Sequence, residues 1–207
     1  MKHGERKKQI LLISLELFAK QGYTETSIRE IAAKANIRES AIYNHFDSKK
    51  EIMKELIDNY KSGSVGVKIF TDDLLDEIAN PKNFLKSYTF KLVDYWQEKE
   101  DSEFFKIIVT EQAKNAGDFP VSLNQLLEDT KRIWTFIFTE LQKNELIRKF
   151  NPSLAADIFV SYIYMIRIEF LMNYEKRNVL LAVTKIDEFI DYFWLTIKAE
   201  YPNDKRA

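Results

Sequence analysis

Cysteine is absent from the 207 residues, and histidine occurs only at His3 and His45. Thiolate nucleophiles, disulfides and cysteine–zinc sites are therefore closed to this chain. It also lacks a glycine-rich phosphate loop, a nucleophile elbow and a Glu-x-x-His pair for a di-iron site. The reading is of a non-enzyme that needs no metal or cofactor. What does stand out is a crowd of hydrogen-bonding side chains between residues 26 and 49: Thr26, Ser27, Arg29, Arg38, Glu39, Ser40, Tyr43, Asn44, His45 and Lys49. Hydroxyls, an amide, guanidinium groups, an ammonium and a ring N–H in one short stretch suit phosphate oxygens and the edges of base pairs.

Those groups need elements to aim them. Leu11, Leu15 and Phe18 form a stripe at helical spacing that predicts a helix over 5–21, and Gly22 ends it. Ser27 with Glu30 three residues on has the spacing of a capping box, opening a helix whose inner stripe is Ile28, Ile31, Ala32 and Ala35. Asn36 tolerates a left-handed turn. A short helix over 38–46 follows, with Ile42 and Phe46 turned inward. Ser48 and Glu51 repeat the capping spacing at the head of a longer helix. Helix, short helix, tight turn and short helix make up a helix-turn-helix.

Charge divides along the same line. Residues 1–50 carry ten Lys/Arg against six Asp/Glu, whereas the remainder carries 21 against 26. A basic head on an acidic body fits one end that meets a polyanion, although an unremarkable mixed surface gives the same count.

Residues 10–57, above all LFAKQGYTETSIREIAAKANIRESAIYNHFDSKKEIMKEL, resemble the N-terminal domain of the TetR family of repressors. The resemblance implies that residues at Thr26, Tyr43, His45 and Lys49 hold the DNA backbone. It implies that those at Arg29, Arg38, Glu39, Ser40, Ala41 and Asn44 more often read sequence. The blander roles are packing for Tyr43, a surface position for His45, a cap for Ser27 and ion pairing for Arg29. Arg38 stands where the family often has a serine or threonine, so the usual cap of the recognition helix is missing. An arginine there can instead address guanine O6 and N7.

Beyond residue 62 the resemblance fades, but helical periodicity continues. Lys61–Gly66 is a plausible break, Pro81 opens a helix over 82–99, and further helices fit 102–115, 121–146, 152–174 and 180–201. A Gly117-Asp118-Phe119-Pro120 break separates the second and third of these, and Asn151 caps the fourth. The apolar run Leu154–Met172 contains Asp157, Arg167 and Glu169, so a buried helix is a better reading than a membrane span. No secretory leader is legible in MKHGERKKQ, and a cytoplasmic home is expected.

The expected fold is all-α. A three-helix helix-turn-helix domain spans 1–48, and a helical effector-binding and dimerisation domain spans 49–207. The last two helices, apolar on more than one side, fit a homodimer interface. Phe159, Tyr162, Ile163, Ile166 and Phe170 form one face of the first, and Ile186, Phe189, Ile190, Phe193, Trp194 and Ile197 mark the second. Tyr88, Trp96, Phe104, Trp134, Phe138, Tyr162 and Arg167 are candidates for an effector pocket, with ordinary core as the alternative for each. Arg167 and Glu111 are charges in apolar helices that need partners, either another side chain or a ligand. The expected function is a dimeric repressor on an inverted-repeat operator, released by a small apolar ligand. A ligand-independent activator or architectural DNA binder fits the same residues.

Overall fold

The structure, a computed structural model, describes residues 3–64, 69–114, 119, 122–172 and 179–199. Among them the elements are α1 (His3–Gln21), α2 (Ile28–Lys34), α3 (Glu39–Tyr43), α4 (Lys49–Ser64), α5 (Asp72–Asp76), a 3-10 turn (Glu77–Ala79), α6 (Pro81–Trp96), α7 (Lys99–Ala113), α8 (Leu123–Lys143), α9 (Pro152–Met172) and α10 (Val179–Ile197). No strand forms among the described residues, so the all-α expectation holds; an isolated bridge joins Ile147 to Lys198. The Gly117-Asp118 and Pro120 part of the expected break lies outside the described residues; of the break expected at Lys61–Gly66, residues 61–64 instead continue α4, and 65–66 lie outside the described residues.

The chain forms two compact units. The first comprises residues 1–68 and 95–126, the second residues 69–94 and 127–207.

In the first unit α1 packs on α2, α4 and α7, and α2 packs on α3. Ile10, Phe18, Ile31, Ile42, Phe46, Ile52, Met53 and Ile108 are its buried centre. Two helix ends fix its geometry. Gly22 terminates α1 at φ +99°, with its N–H donating to the Phe18 carbonyl at 2.9 Å. Asn36 takes φ +54° after α2. Its N–H reaches the Ala33 carbonyl at 3.1 Å and that of Ile37 reaches Ala32 at 3.0 Å, the paired bonds of a Schellman stop. That stop ends α2 and leaves Ile37 partly buried against the core.

In the second unit α9 packs on α10. Asn151 caps α9, its side-chain oxygen accepting from Ser153 and Leu154 N–H at 3.0 and 3.2 Å, as the Asn-Pro pair predicts. A second Schellman stop, at Glu145 (φ +58°), ends α8. Arg148 then ties the following loop to α10 through its backbone N–H to Ile197 O and its Nε to Thr196 O. Phe159, Ile163, Ile166 and Phe170 of α9 and Ile186, Ile190, Phe193 and Ile197 of α10 are buried. Leu154, Ile158, Tyr162, Met165 and Met172 are exposed on α9, and Leu180, Leu181, Tyr192 and Leu195 on α10.

Tyr162 therefore lies outside the inner α9 face on which helical spacing placed it. Its ring stacks on Phe189 at 4.1 Å. The five-residue α5 was not legible in the sequence, because one and a half turns show no period. Helix α7 starts three residues before the expected 102, and α3 is shorter than 38–46.

Candidate nucleic-acid interface

Helix α3 presents its polar residues outward because its apolar ones are held. Ile42 is wholly buried and Phe46 nearly so, and the Phe46 N–H returns to Ile42 O at 3.0 Å. That leaves Arg38, Glu39, Ser40, Tyr43 and Asn44 exposed and Ala41 and His45 half-buried. Tyr43 keeps 51% of its surface exposed. Arg38 occupies the N-cap with extended backbone and no side-chain capping bond, leaving its guanidinium available to solvent. Short side chains along the middle of α3 allow a close approach to a groove floor.

The start of α2 carries the predicted capping box. The Ser27 hydroxyl oxygen accepts from Glu30 N–H at 3.2 Å, and the Glu30 carboxylate accepts from Ser27 N–H at 2.7 Å and from its hydroxyl at 2.8 Å. Those bonds, the backbone one foremost, hold the Glu30 carboxyl below its ordinary range. At α4 the pattern is only half kept. Ser48 accepts from Glu51 N–H at 3.2 Å, but the Glu51 carboxylate accepts from Asp47 N–H rather than from Ser48.

Thr26 and Lys49 are both hydrogen-bonded within the chain. Thr26 is 1% exposed and donates its hydroxyl to Gly22 O at 2.7 Å. Lys49 donates to the carbonyls of Tyr23, Thr24 and Thr26 at 2.7, 3.2 and 2.7 Å. Three acceptors use the three N–H bonds of an ammonium. Burial pushes the Lys49 ammonium below its ordinary range, against the opposing charges of Glu111, Glu25 and Glu30. Arg29 is exposed, on the outer side of α2.

The α1–α2 loop is also held by a residue whose role the sequence did not disclose. Glu111 of α7 is fully buried, and its Oε1 accepts from the Tyr23 N–H at 3.2 Å. Lys114 lies 3.4 Å from the same oxygen. A charge in an otherwise apolar helix was visible beforehand; its partner, 88 residues away in sequence, was not.

The effector candidates do not all fall together. Tyr88, Trp134 and Phe138 join Phe159 in the second unit, with the Trp134 ring 4.3 Å from Phe159, 4.7 Å from Tyr88 and 5.5 Å from Phe138. Burial pushes the Tyr88 phenol up, and the Arg167 charge acts in the other direction. Arg167 is buried in α9. Trp96 and Phe104 belong to the first unit, where the Phe104 ring lies 4.3 Å from that of Tyr60.

Residues 10–56 match the model for bacterial regulatory proteins of the TetR family. The HTH-type transcriptional regulator YvkB of Bacillus subtilis is 27% identical over 76% of this chain and 78% of its own. The HTH-type transcriptional repressor KstR2 of Mycolicibacterium smegmatis is 24% identical over 77% and 75%. Among solved structures, that of the SmeT–triclosan complex superposes with a TM-score of 0.73 at 15% identity, covering 98% of both chains. No described helix is long and apolar enough to cross a membrane. With α3 set outward on a buried Ile42–Phe46 footing and residues 10–56 matching as they do, the N-terminal part of the chain is a helix-turn-helix domain of the kind found in bacterial regulatory proteins of the TetR family.

Proposed function

We propose that this regulator is a homodimeric repressor that binds an inverted-repeat operator and is released by a small apolar ligand. The observation that carries the DNA-binding part is the outward face of α3, where Arg38, Glu39, Ser40 and Asn44 are exposed while Ile42 and Phe46 anchor it. Ser40, Ala41 and Asn44 let the helix seat deeply, with Arg38 and Asn44 reading base edges and Glu39 able to accept from a cytosine amino group. Tyr43, His45 and the start of α2 around Ser27 and Arg29 fix the register on phosphates. Thr26 and Lys49 contribute by shaping the α1–α2 loop.

The functional division falls after residue 48, with reading in 1–48 and dimerisation and effector binding in 49–207. Two copies pair through the exposed apolar faces of α9 and α10. A two-fold axis then presents two α3 helices to major grooves about 34–36 Å apart. The repressor relative and the triclosan-bound structural neighbour support repression and a small ligand. Tyr88, Trp134, Phe138, Tyr162 and Arg167 are the residues offered for that ligand in the second unit, with Trp96 and Phe104 in the first. The protein's place is the cytoplasm.

The test is anisotropy titration of an operator fragment, selected from random duplex DNA by the purified protein, at several salt concentrations. Selection of a palindrome with two half-sites about one turn apart supports the reading. Binding without sequence preference, or selection of a single half-site, sinks it.

A further inference from the structure

The first unit contains a cleft of about 440 Å³ that the DNA-binding role leaves unused. Its floor is apolar: Leu11 and Leu15 from α1, Leu56 and Tyr60 from α4, and Phe104 from α7. Its rim is acidic, with Glu98 and Glu100 exposed at the start of α7 and Asp101 buried next to them in the chain, and Lys8 is the single basic residue among those lining it. Lys99, next to that rim in sequence, lies 3.8 Å from Glu103. The volume falls within the roughly 300–1,000 Å³ of sites that enclose drug-sized ligands.

Chemistry narrows the occupant. Three carboxylates against one ammonium disfavour an anion. An apolar floor offers nothing to a hydrated inorganic ion, and the described residues hold no cluster suited to a metal. Tyr60, Phe104 and Tyr95 add aromatic lining on which an aromatic occupant can pack. We propose that this cleft is a binding site for a lipophilic aromatic cation, with its rings against Leu15, Leu56 and Phe104 and its charge toward Glu98, Glu100 and Asp101.

One wall belongs to α1 and α4, which carry and follow the helix-turn-helix, and the other to α7. An occupant that fits best at one α4–α7 spacing selects that spacing and, with it, the placement of α3. This second step rests on the proposed repressor function; binding itself does not.

Calorimetric titration of the full chain with tetraphenylphosphonium, and with tetraphenylborate of the same shape and opposite charge, tests the site. Leu12 lines the mouth and is 40% exposed, so Leu12→Trp places an indole there without entering the core. The double change Glu98→Gln with Glu100→Gln removes two exposed rim charges. The expected result is one phosphonium per chain, about tenfold weaker binding in the double variant and a still larger loss with Leu12→Trp. Both variants should melt like the parent. Equal binding of the two ions, no saturable phosphonium binding, or undiminished binding in both variants overturns the site. If saturating phosphonium leaves operator affinity unchanged, the coupling is wrong and the site stands. If the parent binds no DNA without ligand, it is the repressor reading that fails.

Discussion

Lys49 holds Tyr23 in two ways: its ammonium donates to the Tyr23 carbonyl at 2.7 Å and stands 4.5 Å from the centre of the Tyr23 ring. With Thr24 and Thr26 also accepting from it, Lys49 joins the start of α4 to the loop that leads into α2. Lys49→Ala should therefore act on folding. It strands three carbonyls and removes a cation–aromatic contact, at a cost of about 1–3 kcal/mol. Melting temperature and operator affinity should fall together, with the salt slope nearly unchanged. A slope lowered by about one unit at constant melting temperature would return Lys49 to a phosphate.

Tyr43 predicts the converse. Half of its surface is exposed and it carries little of the core, so Tyr43→Phe should melt like the parent while weakening binding to every sequence alike. Arg38→Ala and Asn44→Ala should instead relax preference at particular base pairs, each by about 1–3 kcal/mol of discrimination. Selection experiments on the three variants separate these outcomes. Unchanged preference with Arg38→Ala would remove that residue from readout.

Glu111→Ala should destabilise the first unit by about 1–3 kcal/mol, because the Tyr23 N–H is left buried without its acceptor. Glu111→Gln retains an acceptor oxygen and should recover part of the loss. Chemical denaturation of both variants decides. Equal losses would mean that the carboxylate charge beside Lys114 outweighs its hydrogen bond to Tyr23.

The dimer prediction separates neighbouring positions on one helix. Phe193 is buried within its own subunit, against Phe138 and Phe159 at 5.8 and 5.7 Å, so Phe193→Glu should unfold the second unit. Tyr192 and Leu195 are exposed. Leu195→Glu with Tyr192→Glu should give a folded monomer with lost operator affinity. Sedimentation and circular dichroism distinguish the cases, and a dimer that survives the double change would move the interface off α10.

The Ser27–Glu30 box gives an acid-side prediction. Glu30 has a folded-state pKa below its unfolded value. Its contribution is then present above the unfolded value and is lost as pH falls through the lowered one. Ser27→Ala should cost about 1 kcal/mol near neutral pH and less in acid. A difference from the parent that stays constant down the acid limb would count against the box.

The parts legible in advance were those governed by near neighbours in sequence. Ser27 and Glu30 lie three residues apart, Asn36 directly follows its helix, and Asn151-Pro152 marks its own start. Of the six α10 positions read at bundle spacing, Ile186, Ile190, Phe193 and Ile197 are buried, whereas Phe189 and Trp194 are half-buried. The residues that hold the site together were not legible, because their partners are remote. Glu111 reads as an oddity until α7 is laid against α1, and nothing in the sequence places the carbonyls of Tyr23, Thr24 and Thr26 around Lys49. The cleft likewise arises from α1, α4 and α7 together, and periodicity within any one helix cannot show it.

Gly22 has a consequence for how the first unit tolerates chemical change. Its φ of +99° disfavours an L side chain, and a Cβ there would also lie 2.8 Å from Lys114 Nζ and 3.0 Å from Glu111 Oε1. The two objections have different symmetry. A D-alanine introduced by semisynthesis would accept the positive φ and direct its methyl away from Glu111 and Lys114, whereas L-alanine meets both. Handedness at one α-carbon thus separates the backbone requirement of the α1 terminus from the room α7 needs to reach Tyr23, and no combination of the L-amino acids can make that separation.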